Sequence, residues 1–292
     1  MAQTWIGSKA AQLLALAAMA IALAGALAAP AQASEGGNND PSCKPTPAHP
    51  QPIVFLHGLG ATYYEDLNVL QAEMASRGYC TFSSTYGAYP GFPYVGGVRP
   101  VPESAVEIKD FIQQVLAETG SGKVDIVGHS EGGFQSLYVT KTQRIRRKVE
   151  RVIAIAPPTH GTTFAGLYNL AYLFGESERE FVGEVLTTFG CPACSELGIG
   201  GSAVATLDSG SIAQPGVTYT IITSRYDELV TPTDTAFVYE PGVTNEYVQD
   251  TCPYDPVGHI GEAYDPNVWH LVENALDPAN ARSFTCYAGS PG

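Results

Sequence analysis

Residues 124–132 read Val-Asp-Ile-Val-Gly-His-Ser-Glu-Gly, a short apolar run that meets Gly128-His129-Ser130-Glu131-Gly132 just before a helical pattern. An apolar run of this kind fits a strand buried on both faces, and a serine between two glycines fits a sharp strand-to-helix turn. Few architectures place such a turn at the end of a buried strand, so the segment constrains the whole chain.

The rest of the chain repeats the alternation. Pro52–Leu56, Tyr79–Ser83, Val124–Val127, Val149–Ala156, Val217–Thr223 and Glu246–Gln249 read as strands. Glu65–Ser76 carries Leu67, Leu70 and Met74 on one side of a helix. Ser104-x-x-Glu107 reads as a capping box, followed by Ile108, Phe111, Ile112, Val115 and Leu116 at amphipathic spacing and closed by Gly120 and Gly122. A helix follows Ser130 to about Lys141, and Pro266–Leu276 predicts a closing helix. Strands alternating with helices imply a mostly parallel sheet of about six strands with helices on both faces. Residues 161–215 break the rhythm with an aromatic-rich stretch, read as a helical cap insertion over the site or as a satellite packing layer.

Before the first strand the chain changes character. Lys9 precedes an Ala/Leu-rich run from Ala10 to Ala29, broken by Pro30 and followed by Ala31-Gln32-Ala33. This is the pattern of a secretory signal peptide over residues 1–33, with a membrane-spanning helix as its rival. Cleavage leaves about 259 residues with a net charge near -15, enough for one large α/β domain. Residues 34–51 read as an extended leader, and residues 52–292 as the domain. No other stretch approaches a membrane span, so the expected product is soluble and exported, with no integral membrane segment after cleavage.

The acidic balance argues against nucleic acid, which needs a basic face. The cluster Lys141, Arg144, Arg146, Arg147, Lys148 and Arg151 falls where a helix should end, and cations suit a helix C-terminus. Cys43, Cys80, Cys191, Cys194, Cys252 and Cys286 all follow the cleavage site. In an exported chain they read as three disulfides, with fifteen pairings open in principle. Cys191–Cys194 makes the short loop, and Cys43–Cys80 and Cys252–Cys286 are then the longer bridges.

A serine hydroxyl needs a general base, and that base needs a carboxylate to fix its tautomer. On a strand-turn-helix serine the chain order is Ser, then Asp or Glu, then His. His259 follows the last strand and precedes the last helix, satisfying both order and placement; His160 is its main rival. His57 and His129 fit a turn-shaping role, His49 lies in the leader, and His270 lies inside the closing helix. Asp227 ends the strong fifth strand in a turn, with Asp250, Asp255 and Asp234 as alternatives. A developing oxyanion would take the backbone N–H groups of Glu131 and Leu59, the latter in His57-Gly58-Leu59-Gly60.

Five blocks in this order resemble the secreted class 2 lipases of actinobacteria, within the α/β-hydrolase superfamily. They are His57–Gly60, Gly128–Gly132, Ala156–Thr163, Ser224–Pro232 and Asp255–His259. The resemblance covers roughly residues 42–286. It implies the α/β-hydrolase fold and hydrolysis of carboxylic esters such as acylglycerols, with Ser130, Asp227 and His259 as a catalytic triad. It also supports the three cysteine pairs. The chemistry calls for no metal and no organic cofactor; the partners expected are an ester or lipid substrate and transient contact with a lipid interface. An acyltransferase or polyester hydrolase would use the same residues, and a non-catalytic binding protein on this scaffold is the reading from a different class. One departure stands out. Glu131 occupies the position after the serine where related proteins often carry Gln or Met. A carboxylate there is costly if ionised and desolvated, so the side chain should turn to a donor or hold a proton.

Overall fold

The computed structural model describes residues 37–163 and 190–289. The proposed signal peptide and the aromatic stretch 164–189 lie outside the described residues. Six parallel strands form one sheet in the order β2-β1-β3-β4-β5-β6. They are β1 (Ile53–Leu56), β2 (Thr81–Ser83), β3 (Val124–His129), β4 (Val149–Ile155), β5 (Thr218–Thr223) and β6 (Val243–Tyr247). Among the described residues the α-helices are α1 (Asn68–Ser76), α2 (Val101–Thr119), α3 (Glu131–Thr142), α4 (Pro192–Glu196), α5 (Ser202–Asp208), α6 (Val248–Thr251) and α7 (Pro266–Leu276).

The central strands β1, β3 and β4 are largely apolar because they are covered on both faces. Val54, Leu56, Ile126, Val152, Ala154 and Ile221 face a layer built with Ile108 and Ile112 of α2 and Phe134 and Leu137 of α3. Their alternates Ile53, Phe55, Val127, Ile153, Ile155 and Ile222 face Leu70 and Met74 of α1 and Val268, Leu271 and Val272 of α7. Period-two alternation thus feeds two separate cores. The chain runs from β1 outward to β2, then returns past β1 to β3. The direction of winding therefore reverses between β1 and β3, and the crevice at their C-terminal ends is where open α/β sheets place ligands.

Several local expectations are corrected. Helix α2 begins at Val101, after Pro100, rather than at a Ser104 cap. Ser104 is buried inside the helix with its hydroxyl unpartnered, and Glu107 instead accepts from the Gly87 N–H at 2.8 Å. The N-terminal orphan is met from elsewhere, since the Val101 N–H donates to Glu196 Oε2 at 2.7 Å. Gly120 does close α2, in the left-handed region at φ 75°. Strand β6 lies three residues earlier than its predicted start, and Val248–Thr251 is helical. Helix α1 starts at Asn68 because Asp66 and Leu67 are both left-handed.

The three disulfides join Cys43 to Cys80, Cys191 to Cys194 and Cys252 to Cys286. The first fixes the leader, whose residues around Asn38 run parallel to β2; the Thr81 N–H donates to the Gly37 carbonyl and the Asn39 N–H to the Thr81 carbonyl, both at 2.8 Å. Within the 161–215 span, Leu197, Val204 and Leu207 are buried in the α2–α3 layer, so residues 190–215 contribute to the core. Lys141 lies in the last turn of α3, as expected, and its ammonium also reaches the C-terminal end of α5, where it donates to the carbonyls of Leu207, Ser209 and Gly210. Among the described residues no helix is long and apolar enough to cross a membrane.

Candidate active site

Ser130 sits at the junction of β3 and α3 with φ 55° and ψ -121°, a conformation that costs a non-glycine residue energy and is held by its surroundings. Its N–H donates to the Ile155 carbonyl at 2.8 Å, pinning the turn to the end of β4. The flanking glycines are steric necessities. A Cβ on Gly128 would lie 2.2 Å from the Gly132 carbonyl oxygen, and one on Gly132 would lie 2.0 Å from that of Leu56. Without side chains there, α3 descends directly against β1 and β3 and leaves the serine at the apex.

Two other loops deliver its partners. His259 Nε2 lies 2.8 Å from Ser130 Oγ, and its Nδ1 lies 2.8 Å from Asp227 Oδ2. A carboxylate can only accept, so Nδ1 carries the proton and Nε2 presents a lone pair to the hydroxyl. The second oxygen of Asp227 accepts from the N–H groups of Leu229 and Val230, each at 2.8 Å. Serine, histidine and aspartate are all buried.

The loops after β5 and β6 are tied together by polar side chains. Ser224 Oγ donates to the Val257 carbonyl at 2.5 Å, and the Gln249 amide donates to Ser224 Oγ and to the Asp255 carbonyl, both at 2.9 Å. Asp255, an alternative acid on sequence grounds, accepts from the Val257 N–H and the Asn267 amide. Asp250 pairs with Arg225, and Asp234 lies in the short turn Thr233–Ala236. His160, the rival base, faces Asp208 at 2.7 Å and the Phe237 carbonyl at 3.0 Å, away from Ser130. The structure therefore brings together Ser130, Asp227 and His259 from the candidates and leaves the others in supporting positions.

The first loop is built around His57. Its Nδ1 donates to the Gly58 carbonyl at 2.8 Å, and its Nε2 accepts from the Tyr86 N–H at 3.2 Å. This holds Leu59 beside the serine. Leu59, Ser130, Glu131 and His259 line one hollow with Pro158, Thr162, Leu197, Leu229 and Val230, a mostly apolar wall. A second hollow on the other side is lined by Gly58, Leu59, Ala61, Asp66, His129, Ser130, His259, Ile260 and Tyr264.

Two buried carboxyl groups at the site, Glu262 and Asp66, have no role in the sequence reading, and His129 has only a turn-shaping one. Glu262 Oε1 accepts from the Ser224 N–H at 3.1 Å while its other oxygen has no partner among the described residues. Burial, then the charge of Asp227, pushes its pKa well above the usual carboxylate range, which favours its neutral form beside Asp227. Asp227, His259 and Glu262 are close enough for metal ligands, but both imidazole nitrogens are already taken by Asp227 and Ser130. Asp66 and His129 form the other pair: His129 Nδ1 is 2.8 Å from Asp66 Oδ1. Nothing in the spacing of Asp66 marks it, because the contact spans 63 positions.

Glu131 behaves as its position requires. It is 1% exposed; Gln135 donates to one oxygen at 3.4 Å and the other has no partner among the described residues. Burial raises its pKa well above the ordinary value against the smaller effect of Gln135, and Glu196 adds to the rise. Burial thus favours the protonated form, in which the side chain would exert no charge repulsion beside Ser130.

The chain is similar to known lipases in sequence and in fold. The sequence model of a family described as Lipase (class 2) matches residues 50–265. Over 120 residues the chain is 31% identical to a triacylglycerol lipase of Pseudarthrobacter phenanthrenivorans and 31% identical to one of Burkholderia plantarii. Each match covers 39% of this chain, and 35% and 31% of those proteins, so the chain spans about a third of the length of these curated relatives. The crystal structure of Aspergillus fumigatus lipase B superposes with a TM-score of 0.61 at 22% identity, covering 90% of this chain and 56% of that one. That likeness establishes the α/β-hydrolase fold.

Proposed function

The chain belongs to the class 2 lipase family, and on that premise we propose that it is an exported enzyme that hydrolyses carboxylic esters through an acyl-enzyme on Ser130. The observation that carries this reading is the unbroken hydrogen-bonded line Ser130–His259–Asp227 at the apex of the strand-to-helix turn. Ser130 Oγ attacks the ester carbonyl while His259 Nε2 takes its proton. Asp227 holds the imidazole in the required tautomer and stabilises the imidazolium that forms. The N–H groups of Leu59 and Glu131 receive the oxyanion of the tetrahedral intermediate. His259 then returns the proton to the leaving alcohol, and a water activated by the same base releases the acid.

The apolar wall formed by Pro158, Leu197, Leu229 and Val230 beside Ser130 favours an apolar acyl group. Acylglycerols are the substrate class that this wall and the names of the relatives support. Export is supported by the signal-like N-terminal pattern and by three disulfides, which persist in oxidising compartments. N-terminal sequencing of the exported product should begin at Ser34.

Ser130→Ala tests the chemistry. Ester turnover should fall by about five to six orders of magnitude with the circular dichroism spectrum unchanged. An organophosphonate should label wild-type Ser130 stoichiometrically. A folded Ser130→Ala variant with near-normal turnover would eliminate the mechanism.

A further inference from the structure

One buried pair touches both the loop that follows β1 and the loop that carries His259. Asp66 Oδ1 faces His129 Nδ1 at 2.8 Å, and Asp66 Oδ2 accepts from the Gly58 N–H. His129 Nε2 lies 2.9 Å from the carbonyl oxygen of His259. Asp66 also donates its own N–H to the Tyr264 hydroxyl at 2.9 Å. Asp66 is 6% exposed and His129 2%.

The partners of His129 decide its charge. A carboxylate oxygen and a carbonyl oxygen are both acceptors only, so each ring nitrogen must carry hydrogen to avoid facing lone pair against lone pair. An imidazole with both nitrogens protonated is a cation. Its counter-charge, Asp66, is ionised and receives the Gly58 N–H on its second oxygen, as a buried ion pair requires. The chain is bent to achieve this: Asp66 and Leu67 both adopt left-handed backbone, at φ 59° and 64°, immediately before α1.

We infer that His129 is a standing imidazolium which, with Asp66, forms a positioning pair that holds the oxyanion turn and the main chain of the catalytic base in one frame. Gly58 lies directly before Leu59, the proposed oxyanion donor, and His259 is the base. A shift of either loop would misplace the donor or the imidazole relative to Ser130. Misplacement by about 1 Å can cost about a hundredfold in rate. The proposal rests on the ester-hydrolysis reading for its catalytic consequence, whereas the charge of His129 stands on the geometry alone.

The surroundings agree. Burial pushes the His129 pKa down, but the charge and hydrogen bond of Asp66, the His259 carbonyl and the more distant Asp227 outweigh it, and the net direction is upward. For Asp66, burial pushes up; His129, the Gly58 N–H and His57 together bring it below its ordinary value. The groups facing the pair are thus Asp227 and the His259 carbonyl above, His57 and Gly58 on the oxyanion side, and the Tyr264 hydroxyl behind Asp66.

Two measurements on the full chain test this. In nitrogen-resolved NMR of histidine-labelled protein, His129 should keep hydrogen on both ring nitrogens at pH values where an ordinary histidine has lost one. A neutral imidazole there overturns the inference, and this measurement needs no variant. Asp66→Asn should lower kcat by about 10- to 100-fold with KM within about twofold, and slow organophosphonate inactivation in parallel while Ser130 is still labelled to completion. A folded Asp66→Asn enzyme with wild-type kcat and inactivation rate refutes the positioning role. Wild-type protein that neither hydrolyses esters nor is labelled refutes the ester reading instead, and if Asp66→Asn does not fold, the NMR result alone decides.

Discussion

Two aspartate–histidine pairs flank the backbone of Ser130, each with an Oδ–Nδ1 distance of 2.8 Å, and they do opposite things. In Asp227–His259 the second ring nitrogen faces a hydroxyl, which can donate. In Asp66–His129 it faces a carbonyl, which cannot. The first arrangement leaves a lone pair free to take a proton; the second uses every nitrogen as a donor and leaves no basic site. Residue type and pairing distance are therefore silent about role, and the atom facing the far nitrogen decides it.

That contrast can be broken directly. Asp227→Asn should cost about four orders of magnitude in kcat, because an amide can present its donor to the ring and trap the wrong tautomer. It is measured as initial rates on a soluble ester, and equal losses for Asp227→Asn and Asp66→Asn would abolish the distinction between base and frame.

A finer test concerns Glu131, whose neutral form is set by burial. As pH rises through its raised pKa, a carboxylate appears beside the developing oxyanion, so kcat should decline on the alkaline side. Glu131→Gln should remove that decline while changing the neutral-pH rate less than about tenfold. Superimposable pH–rate profiles for the variant and wild type would show that Glu131 does not sense the reaction.

The smallest effect on turnover is expected at Asp125, a buried carboxyl at the other end of β3. Burial raises its pKa to about 7; Arg151, 3.6 Å away, opposes the rise and Glu150 adds to it. The folded chain therefore holds this proton over a range where the unfolded chain has lost it. Stability from this group is full below about pH 4 and is lost as pH climbs through about 7. The loss is of order a few kcal/mol. Asp125→Asn should flatten that part of the slope in urea unfolding at pH 5 and 8 and leave kcat unchanged. A changed kcat would mean that the far end of the strand is coupled to the site.

The sequence exposes elements whose two faces are both buried. β1, β3 and β4 carry apolar runs and β5 is rich in β-branched residues, and α7 lies at its expected bounds, because its inward stripe of Val268, Leu271, Val272 and Leu276 follows helical spacing. It is less informative at edges and at places shaped by distant contacts. Val243–Tyr247 is half-exposed and carries Thr, Asn and Glu, so its pattern resembles a loop. Ser104 and Glu107 have the spacing of a cap, but Pro100 and a carboxylate from Glu196 fix the true start of α2. The grouping of Ser130, Asp227 and His259 was legible because chain order and strand ends restrict it. The Asp66–His129 pair was only half legible: His129 reads as a turn residue, while Asp66 earns its role through left-handed backbone that no spacing rule announces. Glu262 was hidden for the same reason, since its significance lies in the proximity of Asp227.

The leader has a further consequence. β2 is an edge strand, and the row of backbone groups it would present to other molecules is partly covered by Gly37–Asn39, held there through Cys43–Cys80. Exposed strand edges recruit other strands. The bridge therefore bears on colloidal behaviour more than on turnover: a chain lacking it would keep its serine site but offer a sticky edge to its own copies, so crowding, not chemistry, would be the first thing to limit it.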